Sequence, residues 1–232
     1  MIGLFYLVIG ALFVGSLMIQ GWLKTTYSRW SRVRNSLNAP GAMVARQVLD
    51  KHGLWKVDLG VQRGSLTDHY DPRDKSVALS ARIYQEPSVA SAAIAAHECG
   101  HAIQDATDYG PMRIRNAVVP LAMLGSRFGP WAVVGGWALN VSMLVQAGFV
   151  LYAGSLLIHV VNLPVEFDAS RRARDELIEM GMDSEEDKRG AKKVQRAAAM
   201  TYVAGSATAM THLIFIVFAF GRMFLGRQSP TP

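Results

Sequence analysis

The residues best suited to chemistry stand in "AAIAAHECGHAIQDA", residues 92 to 106. His97, Glu98 and His101 match H-E-x-x-H inside a run built largely of alanine, a strong helix former. On a helix, positions i and i+4 share one face about 5 to 6 Å apart, so two imidazoles can converge on a single divalent ion. Glu98 is turned to the flank, where it can take a proton from a metal-bound water without being a ligand. Zinc would lower the pKa of that water toward about 7 and polarise a carbonyl, which is the chemistry of peptide hydrolysis. Cys99 offers a thiolate, but its place two residues from each histidine rotates it to the opposite side of the helix, as a small packed side chain. A catalytic zinc needs a third protein ligand and an open fourth position, and His52, His69, His159, His212 and several carboxylates are available.

The elements that must position this helix alternate between apolar and polar. Half of the 232 residues are apolar and the net charge is +6, a composition that suits a membrane protein with a substantial polar part. Residues 2 to 23 carry no charge and are long enough to cross a hydrocarbon core of about 30 Å. They lack the basic start and small-residue cleavage site of a signal peptide, so they read as an uncleaved anchor. Lys24, Arg29, Arg32 and Arg34 follow directly, which places the N-terminus outside and residue 24 onward in the cytoplasm. Residues 24 to 115 read as a polar folded module. It has a helix between Pro40 and Gly53, strands in "LWKVDLGVQRG" and "KSVALSA" separated by the turn-like "DHYDPRDK", and the H-E-x-x-H helix starting at Pro87 and Ser88. Residues 116 to 163 are apolar again, with Arg127 awkwardly placed near mid-span. Residues 164 to 200 are polar with both charges, and 201 to 221 form the last candidate span. The single cysteine excludes an intrachain disulfide, and the absence of an aromatic-and-basic groove motif argues against a nucleic-acid surface. His159 and His212, within or near spans, read as neutral histidines bonded to a neighbouring helix.

Together, "AAHECGHAIQD", "LPVEFDASRRA" and "AAAMTYVA" resemble the neutral zinc metallopeptidases of the bacterial YugP type, and "DHYDP" with the strand after it is similar too. The resemblance covers nearly the whole chain. It implies that His97, His101 and Glu166 hold one zinc ion and that Glu98 is the general base. Many glutamate-type zinc peptidases carry an Asp four residues after the third ligand, but here that position is Ser170, so the feature does not carry over. Asp168 or Asp105 could serve instead as the carboxylate that orients a histidine, and either could equally be a plain surface charge. For the oxyanion, His69, Tyr70, Tyr109 and Arg172 are all conceivable, and the sequence does not choose among them.

Two ligands of one ion must lie on one side of the bilayer. If Glu166 is the third, the block 116–163 crosses an even number of times and forms a hairpin. Arg171, Arg172, Arg174, Lys188, Arg189, Lys192, Lys193 and Arg196 follow it, as the basic cluster follows the first anchor, while Arg222 and Arg227 fall on the disfavoured side. The expected fold is therefore a mainly α membrane protein with a small β-sheet. A zincin-like α+β cytoplasmic head (24–115 and 164–200) sits on about four transmembrane helices (1–23, the hairpin 116–163, and 201–222). The expected function is a membrane-anchored, zinc-dependent peptidase acting on a peptide or protein substrate, with the strand near 76–80 binding an extended peptide as an added strand. The alternative is a non-hydrolytic membrane adaptor or assembly subunit with a structural zinc site. A transporter is disfavoured because the spans lack intramembrane carboxylates and broken-helix pairs.

Overall fold

The computed structural model describes residues 2–225, with side chains described from 3 to 214. The chain is mainly helical with one small mixed sheet. Its elements run α1 (Ile2–Trp30), α2 (Gly41–Lys51), β1 (Asp58–Gln62), β2 (His69–Asp71), β3 (Ser76–Ser80), α3 (Ala81–Gln85), α4 (Val89–Ala106), α5 (Gly110–Ala138), α6 (Ser142–Glu179) and α7 (Glu185–Leu225). They form two compact units. One comprises Met18–Arg113 and Leu163–Thr201; the other comprises Ile114–Asn162 with the described residues before Met18 and after Thr201.

The first unit holds the sheet and α4. The strand order is β1-β3-β2, with β1 parallel and β2 antiparallel to β3. Val77 and Leu79 of β3 are fully buried, as alternation along a half-covered strand requires. Two expectations need correction here. First, "DHYDPRDK" is not only a turn. His69–Asp71 is a strand, its pattern masked by turn-forming neighbours, and Tyr70 points into the core. Second, β3 is the central strand, paired on both flanks, so residues 76–80 leave no full edge for a peptide to join. The free edges belong to β1 and β2.

Helix α4 begins where a capping serine can serve it. Ser88 is the N-cap, and its Oγ accepts from the Ser91 N–H at 3.1 Å. Nearly all of α4 is buried, and Ala90, Ala92, Ala93, Ala95 and Ala96 present so little side chain that neighbouring backbone comes close. The C-terminal part of α1 also belongs to this unit: Tyr27 and Trp30 are buried in its core, so the helix outlasts the apolar stretch 2–23 by about two turns.

The second unit exposes much apolar surface. Among the described residues, three helices, α1, α5 and α6, are long and apolar enough to cross a membrane, and the apolar stretch of α1 has none of its residues buried. Phe13, Leu121, Phe128, Trp131, Trp137 and Val150 all stand exposed, far more apolar surface than water favours. Helices α5 and α6 are joined by a short turn in which Asn140 has φ 56°. They touch backbone to backbone: a Cβ on Gly129 would lie 2.9 Å from the Gly148 carbonyl, and one on Gly148 would lie 2.7 Å from that of Gly129. Small residues at such contacts are how lipid-facing helices pack. Ser206 of α7 donates to the His159 carbonyl at 2.7 Å, and the His212 ring donates to Thr208 of its own helix at 2.9 Å while meeting Phe5 edge-on. Residues 201–222 lie within α7. Side chains beyond Ile214, Arg222 among them, are outside the described ones, and Arg227 is outside the described residues altogether.

Candidate metal centre

Helix α4 places His97 and His101 one turn apart, with ring centroids 4.8 Å from each other and planes at 81°. Glu166 reaches them from α6. Its Oε2 lies 3.2 Å from His97 Nε2 and 3.7 Å from His101 Nε2. The three ligand atoms all fall within 4.8 Å of one another, and Glu166 and His101 are buried. What brings the helices together is Gly100, between the histidines: a Cβ there would sit 2.8 Å from the Ala169 carbonyl, so only glycine lets α6 lie this close.

The outer nitrogens are also engaged. Ser170 Oγ is 3.2 Å from His97 Nδ1, so the serine in place of the expected aspartate does touch a histidine. His101 Nδ1 is 3.0 Å from the side-chain oxygen of Gln104. Both inner Nε2 atoms therefore face the Glu166 carboxylate, and two imidazoles with a carboxylate form a set that zinc accepts. The residues fit the ion.

Glu98 is buried, and burial pushes its carboxyl above the ordinary range; Glu166 and Asp68 add to this, while His97 and His101 pull the other way. Cys99 points away from the cluster, its Sγ 3.5 Å from the Ala45 carbonyl on α2, and burial raises its thiol well above the usual value.

The two carboxylates considered as orienting groups part company. Asp168 accepts from Gln104 Nε2 at 3.0 Å and from Arg172 Nε at 2.6 Å, and it pairs with Arg171, so it reaches His101 through one intervening amide. Asp105 instead accepts from the Tyr70 hydroxyl at 2.7 Å and from Lys75. Burial and that bond to Asp105 raise the Tyr70 pKa and keep the phenol protonated. Of the oxyanion candidates, Arg172 lies over the Tyr109 ring at 5.6 Å, Tyr70 is committed to Asp105, and His69 donates to the Thr67 carbonyl at 2.8 Å. Among the described contacts, none of the four touches the His–His–Glu cluster. Gln104 carried no expectation in the sequence. Its place, three residues after His101 on the same helix, was the one available signal.

Sequence comparison adds a family. The profile of a family described as "Putative neutral zinc metallopeptidase" matches residues 5–221. A relative in Bacillus subtilis (strain 168), named "Putative membrane protease YugP", is 35% identical over 198 residues, covering 85% of this chain and 88% of its own. No solved structure matches significantly.

Proposed function

Because the chain belongs to the neutral zinc metallopeptidase family, we propose that it is a membrane-anchored peptidase whose single zinc site is His97, His101 and Glu166, with Glu98 as general base. The observation that carries this is the convergence of the three side chains from α4 and α6, with a fourth carboxylate next to the first histidine. When bound, zinc supplies Lewis acidity to an attacking water and to the scissile carbonyl. Glu98 removes the proton of that water and returns it to the leaving amine. A carboxyl raised by burial suits that work better than a solvated one, since a base is most effective near the working pH. The group has three protein ligands among the described residues, whereas a structural zinc site closes with four, and this favours the hydrolase over the adaptor.

The relative's description as a membrane protease and the three apolar helices support a multi-pass membrane location. Helices α5 and α6 supply two crossings between His101 and Glu166, which returns the chain to the side it left. With the C-terminal stretch of α7 as a fourth span, the basic segments put the site in the cytoplasm and the N-terminus outside.

Purified full-length protein tests the reading. Glu98→Gln should keep one zinc per chain and lose about 10²- to 10⁴-fold in peptide cleavage. Cleavage by Glu98→Gln at the wild-type rate, or zinc-loaded wild type that cuts nothing across a broad peptide library, would overturn it.

A further inference from the structure

We infer that Gln104 is a positioning residue that sets the geometry of two metal ligands at once, an inference that rests on the zinc reading above. Gln104 is fully buried on α4, so every polar atom of its amide needs a partner. Its Nε2 donates to the Val165 carbonyl at 2.8 Å and to Asp168 Oδ2 at 3.0 Å. Both partners only accept. Asp168 is held there as a carboxylate between Arg171 and Arg172, and Arg172 in turn lies over the Tyr109 ring. The amide therefore has one workable orientation, with its oxygen toward His101 Nδ1 at 3.0 Å.

An oxygen acceptor at that point requires the hydrogen on Nδ1. In the neutral ring, the form that binds a metal, the lone pair is then on Nε2, the nitrogen that faces Glu166. One amide thus selects the histidine tautomer that can bind metal and fixes the plane of the ring. The same amide grips α6 on both sides of Glu166, at Val165 and Asp168, so the third ligand is tied to the second by a hydrogen-bonded bridge between helices. Among the described residues, His97 has no equivalent. Its outer partner is the Ser170 hydroxyl, which can donate or accept and therefore selects no tautomer.

The test is the zinc Kd of the full-length protein by competition with a chromophoric chelator, alongside ¹⁵N NMR of its histidines in the zinc-loaded state. Gln104→Leu should weaken zinc binding by about 10- to 100-fold, the usual cost of losing a group that orients a ligand, and should shift the His101 Nδ1 resonance as its hydrogen bond to position 104 is lost. Gln104→Glu sets a carboxylate against the Val165 carbonyl and Asp168 and should weaken binding at least as much. Adding Asp168→Asn to it restores a donor between positions 104 and 168, though not one to the Val165 carbonyl, and should recover part of the lost affinity. If Gln104→Leu does not fold, the Gln104→Glu single and double variants decide alone. Wild-type affinity in Gln104→Leu, or no recovery in the double variant, overturns the inference and leaves the zinc site standing. A wild-type protein that binds no zinc overturns both.

Discussion

At the scale of single residues, burial raises the pKa of neighbours with opposite consequences. For Glu98 it produces a better base; for Cys99, one position on, it suppresses the thiolate and with it reactivity. Cys99 should therefore resist a maleimide in the native protein and react only as the chain unfolds. Full labelling within minutes under native conditions would contradict its placement. Glu176 shows the opposite shift: burial alone would raise it, but hydrogen bonds from Lys51 and His52 hold it below the ordinary carboxylate range. A folded pKa below the unfolded one contributes stability above the ordinary value of about 4.3, and that contribution disappears as the pH falls through the folded value. Glu176→Gln should lower the unfolding temperature at neutral pH by the equivalent of about 1 kcal/mol, with the gap closing in acid. A gap that stays constant with pH would sink this. His97, Glu98 and His101 were legible in the sequence because they share one helical turn. Gln104 was not, because its partners Val165 and Asp168 are about 60 positions away and an isolated glutamine announces nothing.

At the scale of elements, the site depends on how closely α4 and α6 approach. Gly100→Ala would force the Ala169 backbone outward by several tenths of an ångström and carry Glu166 away from the histidines. Overpacking of this kind costs about 1 to 3 kcal/mol. Circular dichroism should show unchanged helix content while zinc affinity drops; wild-type affinity in Gly100→Ala would mean that the contact at Gly100 does not set the site. The start of α4 could be read from Ser88, whose capping chemistry is local. Strand β2 could not. Its three residues lie among turn formers, and only pairing with β3 and the burial of Tyr70 make them a strand. The central place of β3 was equally hidden, since strand order is set by long-range pairing that alternation does not encode.

For the whole molecule, the proposed hairpin puts the turn at Asn140 and the segment at Asp183 on opposite faces of the bilayer. Reporters fused after each residue should give opposite readings, and equal readings would remove the hairpin. The helices long and apolar enough to cross a membrane could be read in the sequence because long uncharged runs show in composition alone. Zinc K-edge X-ray absorption on the full-length protein is the most direct test of the centre itself. The spectrum should show only nitrogen and oxygen neighbours at about 2.0 to 2.2 Å, with imidazole scattering that falls by half in His101→Ala. A sulfur shell at about 2.3 Å, or a spectrum that neither His101→Ala nor Glu166→Ala alters, would place the metal elsewhere and contradict the proposed peptidase centre.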